Sequence, residues 1–148
     1  GTRSQKDEEM VNWAIRATGL EDFENRQLDS LSGGQRQRAW IAMALTQDTD
    51  VLLLDEPTTY LDLAHQIEIL ELLKDLNNKT KKTIVIVIHE LNHAARYAHN
   101  LVCMKHGNIY SQGEVDDVFN ENMLRDVFGV DSIVISDPIT QRPMCIPK

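Results

Sequence analysis

Apolar residues first recur at helical spacing in Met10, Val11, Ala14 and Ile15, behind a Ser4-Gln5-Lys6-Asp7 segment that reads as a capped start. Gly19 stands where that helix should stop, and a polar connection follows from Leu20. A second helix is predicted from the Gly33-Gly34 pair to about Leu45, and its C-terminal half is apolar all round, which implies burial. At Val51 the pattern changes. Val51 to Leu54 is a short apolar run suited to a buried strand, and a turn at Pro57 leads into a helix. That helix carries Ile69, Leu72, Leu73 and Leu76 at i, i+3, i+4 and i+7. Asn77 to Thr80 break the pattern, and the β-branched run Ile84 to Ile88 then fits a fully buried strand.

Strand, helix and strand in this order make a βαβ unit. A right-handed crossover sets both strands parallel and brings their C-terminal ends to one sheet edge. Asp55, Glu56 and His89 are expected together at that edge. Further on, Leu101 to Met104 and Ile109 to Ser111 flank His106-Gly107 and read as a hairpin. Ile133 to Ile135 with Cys145-Ile146 form a second candidate hairpin around Pro138 and Pro143. No internal repeat and no low-complexity linker interrupts the chain.

With 148 residues, 42% hydrophobic and 26% charged, the chain has the make-up of one globular domain with its own core. Its net charge of −8 disfavours a nucleic-acid role, because phosphate contacts need clustered Lys and Arg. The same charge leaves a protein partner as the route to any membrane association, and Arg36 with Arg38 is the one short basic group. The longest apolar stretch, Ala39 to Leu45, falls far short of a membrane span, and no signal peptide is evident, so a cytoplasmic location is expected. Cys103 and Cys145 lack the spacing of a zinc or redox pair and read as buried thiols.

Candidate chemistry gathers in three places. Leu31-Ser32-Gly33-Gly34-Gln35 opens a helix, and a hydroxyl, two glycines and open helix amides together make an anion site. Val51 to Leu54 ends in Asp55-Glu56-Pro57, two carboxylates at a strand tip of the kind nucleotide hydrolases use to hold Mg²⁺ and a water. Leu61-Asp62 follows, and His89 ends the next strand.

LSGGQ, LLLDEP, LD and the strand-terminal histidine, in this order, resemble the signature, Walker B, D-loop and switch histidine of ABC ATPases. The resemblance runs from about Ser4 to the end of the chain. The stretches Pro57 to Gln66 and His89 to Gly113 look similar to the ATPases of iron–siderophore importers. The resemblance implies an α/β fold: a partial P-loop NTPase domain, with a helical subdomain over 1–47 and the C-terminal part of a mainly parallel, RecA-like core over 48–148. It also implies that Asp55 helps hold Mg²⁺ through water, that Glu56 polarises the attacking water, and that His89 contacts the γ-phosphate. Ser32, Gly33, Gly34 and Gln35 would bind ATP seated on a second ATPase subunit, with Asp62 at the dimer interface. Transmembrane permease subunits would be the further partners, placing the protein on the inner face of the cell membrane without inserting into it.

One departure stands out. No G-x-x-x-x-G-K-[ST] occurs, since Lys79-Thr80 and Lys82-Thr83 lack the preceding glycines. The chain is therefore expected to begin inside the domain and to be inactive alone, because positioning supplies most of phosphoryl-transfer catalysis.

Two other readings compete. His89-Glu90-Leu91-Asn92-His93 satisfies the zinc-protease pattern H-E-x-x-H, and His99 extends it with Arg96 where a helix-breaking glycine is needed. A helix continuing through Arg96 would turn His99 away from His93, and the β-branched run before His89 favours a strand end there. The third reading is a catalytically silent interaction module, which nucleotide binding by the chain would distinguish.

Overall fold

The structure is a computed structural model and describes residues 4–148; the first three positions of the 1–47 segment lie outside the described residues. The chain divides into two compact units, one running to Ile88 and the other from His89 to Lys148. The helical segment and the βαβ segment thus share the first unit.

Helix α1 (Gln5–Ala17) starts at the expected cap: Asp7 donates its N–H to Ser4 Oγ, and Ser4 donates its N–H to the Asp7 carboxylate. It stops before Gly19, whose φ of +68° lies in the region glycine favours. The connection predicted as polar holds two 3₁₀ turns, Glu21–Phe23 and Leu28–Ser30, and buries Leu20 and Leu31. Helix α2 (Gly33–Leu45) buries Ile41, Ala42 and Leu45, whereas Trp40 and Met43 on its other side are exposed. The all-round burial expected from its composition is therefore one-sided.

Strand β1 (Val51–Asp55) pairs in parallel with β2 (Thr83–Val87), in register from Val51 opposite Thr83 to Asp55 opposite Val87. Helix α3 (Leu63–Thr80) crosses between them; it runs through the Asn77 to Thr80 segment expected to break it and ends at Lys81, φ +59°. Leu52 with Ile69, Leu73 and Leu76 of α3 and Ala14, Ile41 and Leu45 of the first two helices forms the core of this unit, and Leu54, Ile84 and Ile86 pack against it. The opposite face of the two strands, Val51, Leu53, Val85 and Val87, is exposed. Full burial of these strands was the expectation. Parallel strands are buried on both faces only where something covers both, and among the described residues one face is covered.

The second unit begins with α4 (Leu91–Tyr97), followed by the antiparallel hairpin β3 (Asn100–Lys105) and β4 (Asn108–Glu114). Its turn is His106-Gly107, both at positive φ, as a two-residue hairpin requires. Two short helices, α5 (Val115–Val118) and α6 (Glu121–Phe128), lead to a second antiparallel hairpin, β5 (Ser132–Ser136) and β6 (Pro143–Pro147). Parallel pairing is thus confined to β1 and β2 among the described residues. Ala95, Val118, Phe119 and Leu124 form the second core with Cys103 and Cys145, which are free and buried as expected.

Helix α4 has seven residues, too few to stand alone in water. The second hairpin clips it at three points. Arg142 Nε donates to Ala95 O at 2.9 Å and its Nη2 to Ala98 O, satisfying carbonyls at the helix end. Asn92 pairs with Cys145, and Arg96 lies 3.8 Å from Asp137.

Candidate functional site

β1 delivers Asp55 to the C-terminal edge of the parallel pair, and the chain then reverses. Glu56 donates its N–H to Val87 O at 2.9 Å, so it extends the pairing one step beyond the strand. It does so at φ +50°, a left-handed conformation that costs a side-chain-bearing residue about 1–2 kcal/mol. A turn closes over buried Pro57 and Thr58 by Thr59 N–H donating to Glu56 O at 3.2 Å, and Leu61 N–H donates to Thr58 O at 3.3 Å. These successive turns carry the chain to Asp62. The backbone that carries the two carboxylates is thereby held by hydrogen bonds at and after a strained residue.

Asp62 is the N-cap of α3: His65 donates its N–H to Asp62 Oδ1 at 2.9 Å, and His65 Nδ1 lies 2.7 Å from the same oxygen. The backbone bond first, and the imidazole second, hold the Asp62 carboxyl below its ordinary value.

Ser32 caps α2 through a reciprocal pair. Gln35 donates its N–H to Ser32 Oγ at 3.2 Å, and Ser32 donates its N–H to Gln35 Oε1 at 3.0 Å. That box satisfies the third amide of the helix, while the amides of Gly33 and Gly34 have no acceptor within it. Gly33 is exposed and Gly34 is buried, so of the two it is the Gly33 amide that faces solvent, where a helix N-terminus favours an anion. Arg38, on the same helix, donates to Thr18 O at 3.1 Å and lies 3.8 Å from Glu68, so it ties α2 to the end of α1 and to α3.

His89 opens the second unit. α4 begins at Leu91, and Glu90 is its N-cap, accepting the His93 N–H at 2.6 Å. The zinc-protease pattern needs His89 and His93 one turn apart on a helix, and here His89 precedes the helix altogether. No group of three or more His, Cys, Asp or Glu side chains is placed to hold a metal among the described residues.

The structure thus brings Asp55, Glu56 and the end of β2 together, and separately seats Ser32 to Gln35 beside Asp62. His65 was not singled out from the sequence, and Leu61 and Arg38, though noted there, were given no part in seating this turn. His65 follows the Asp62 cap by three residues, a spacing at which a side chain can return to its cap, and that was the available signal.

Comparison with known proteins accords with this geometry. A family model described as ABC transporter matches residues 2–59. The chain is 55% identical over 144 residues to the petrobactin import ATP-binding protein FpuD of Bacillus anthracis, a match covering 97% of this chain and 53% of that protein. It is 48% identical over 146 residues to the iron(3+)-hydroxamate import ATP-binding protein FhuC of Bacillus subtilis (strain 168), covering 99% of this chain and 54% of that one. A solved structure of an inward-facing ABC transporter described as of the metal-chelate type superposes with a TM-score of 0.88 at 28% identity, over 100% of this chain and 59% of that one. The chain spans about half the length of the curated relatives it matches.

Proposed function

The chain belongs to the ABC transporter ATPase family, and from that membership we propose that it is the signature-to-C-terminal portion of the ATP-binding subunit of an importer of iron–siderophore complexes. Relatives that import petrobactin and iron(3+)-hydroxamate support the substrate class. They differ in chelate, so the proposal stays at the class.

The observation that carries the reading is the tip of β1, where Asp55 stands in register with Val87 and Glu56 is held at φ +50° by its bond to Val87 O. Asp55 offers the hard oxygen donors that Mg²⁺ prefers, and an ion that keeps several waters and takes phosphate oxygens needs only one or two carboxylates. When bound, Mg²⁺ would supply charge neutralisation at the phosphates. Glu56, next in the chain, polarises the attacking water as general base. His89 contacts the γ-phosphate.

Ser32 and Gln35 hold the first turn of α2 in shape, so that this turn, with Gly33 and Gly34, meets the γ-phosphate of ATP on a second subunit. Asp62 lines the interface between the two. The helical segment 1–47 faces the transmembrane permease, and 48–148 supplies the C-terminal part of the nucleotide-binding core. The subunit sits against the inner face of the membrane through the permease. Among the described residues no helix is long and apolar enough to cross a membrane. Without a G-x-x-x-x-G-K-[ST] segment, these 148 residues bind and hydrolyse no ATP alone.

The test uses the complete subunit, in which this segment is joined to a P-loop. Glu56→Gln should keep ATP binding and lower turnover by roughly 10²–10⁴-fold, the contribution of a positioned general base. Near-normal turnover would place the base elsewhere.

A further inference from the structure

Glycine is the poorest helix former after proline, yet α2 begins with two in succession, Gly33 and Gly34. Close approach of a phosphate is one reason for them. The structure contains another. A Cβ built on Gly34 would lie 3.0 Å from His65 Cδ2, 3.6 Å from Cγ and 3.8 Å from Nε2, so the backbone of the first turn rests directly on the imidazole. A Cβ on Gly33 would lie 3.4 Å from Leu61 Cδ2. The two glycines therefore rest on side chains that flank Asp62 on either side.

The ring has a fixed partner in Asp62. Asp62 Oδ1 accepts the His65 backbone N–H at 2.9 Å and faces Nδ1 at 2.7 Å. A carboxylate only accepts, so Nδ1 carries the proton and the ring orientation follows. Asp62 orients the ring, the ring bears on Gly34, and the first-turn amides of Gly33 and Gly34 belong to the turn so supported.

We infer that His65 is a positioning residue: held by Asp62, its imidazole is the seat on which the Gly33-Gly34 turn rests, and it sets where those two amides point. The inference rests on reading Ser32 to Gln35 as the phosphate-binding loop. It adds a physical link inside one subunit between that loop and Asp62, so that displacing the Asp62 carboxylate displaces the loop. A side chain without a ring at position 65 leaves the turn unsupported.

The experiment compares His65→Ala and Glu56→Gln with the parent in the complete subunit, measuring kcat and KM for ATP. The glycine amide signals are followed by NMR after selective ¹⁵N-glycine labelling. His65→Ala should lower kcat about 10- to 100-fold, as small misplacements of a positioning group do, with KM for ATP held within about twofold. It should also move the Gly33 and Gly34 amide signals. Should His65→Ala not fold, His65→Asn removes the ring, keeps a polar group beside Asp62 and is read in the same way. Unchanged kcat alongside a suppressed Glu56→Gln would overturn the role of His65 and leave the ATPase reading standing. If Glu56→Gln turns over normally, the ATPase reading falls and the glycine amides decide the seat alone: moved, it stands; unmoved, it falls.

Discussion

Asn92 grips Cys145 by both of its backbone groups: the Cys145 N–H donates to Asn92 Oδ1 at 2.8 Å, and Asn92 Nδ2 donates to Cys145 O at 3.2 Å. One side-chain amide thus does for β6 what a neighbouring strand would do. Cys145 is buried, so losing the amide would leave its N–H and C=O without partners or water. Asn92→Ala should destabilise the protein by about 1–3 kcal/mol, the cost of orphaned buried groups. Asn92→Asp should fall between parent and Ala, since it keeps the acceptor and loses the donor. A urea midpoint that does not move in Asn92→Ala would contradict the pairing.

The two glycines of the α2 start should respond differently to the same methyl group. At Gly33 a Cβ meets only Leu61 Cδ2 at 3.4 Å, an ordinary contact, and removing a helical glycine gains roughly 0.4–1 kcal/mol through the unfolded chain. At Gly34 the Cβ meets the His65 ring at 3.0 Å, which something must yield to relieve. We expect Gly33→Ala to be neutral or stabilising and Gly34→Ala to be destabilising. Thermal denaturation of the two variants decides; equal effects would remove the close approach from the explanation.

Much of this frame was legible because the signals are local. Ser4 to Asp7 carries its own capping box, His106-Gly107 carries its own turn, and the change from helical spacing to the Val51 and Ile84 runs marks the βαβ unit. Burial was read less well. Trp40 and Met43 belong to a segment apolar all round, but what covers a residue is decided by its neighbours in space. Helix α6 was not read, although Asn120 accepts from Met123 N–H as its cap and Gly129 ends it at φ +67°. The strand-tip carboxylates of the candidate site were legible by motif. The seating of Gly34 on His65 was not, because it joins positions on two helices and no local pattern encodes it.

Acid should weaken the second hairpin through Asp137. The Ile139 N–H, donating to Asp137 Oδ1 at 2.7 Å, is the first cause holding this carboxyl below its ordinary 3.8, with Thr140 and the Arg96 guanidinium adding to it. A carboxyl lowered in the folded state contributes stability above its unfolded value, and that contribution is lost as pH falls through 3.8 and below. Asp137→Asn should therefore be less stable than the parent at pH 7, and the gap should narrow as the solution is acidified below about pH 4. A gap that stays constant across that range in denaturation curves would rule out the linkage.

The open face of the parallel pair should make the chain self-associate. Leu53 at the middle of β1 is 72% exposed, between Val51 and the neighbouring Val85, and each strand has only one partner among the described residues. Apolar surface of this kind beside open strand edges favours association. Light scattering at micromolar concentration should find a dimer or larger species, and Leu53→Lys should shift the distribution toward the monomer. A parent chain that is already monomeric contradicts the expectation.

Glu56 sits where its backbone would be more comfortable as glycine. At φ +50°, with its N–H committed to Val87 O, every side chain with a Cβ is at a disadvantage of about 1 kcal/mol or more. A glutamate at this position thus runs against the local preference of the backbone that holds it. On the proposed role of Glu56, stability and chemistry ask for different residues at this one position. A variant that relaxes the turn would gain a sturdier scaffold and surrender the carboxylate, so improvements in stability found here by screening are the ones to distrust first.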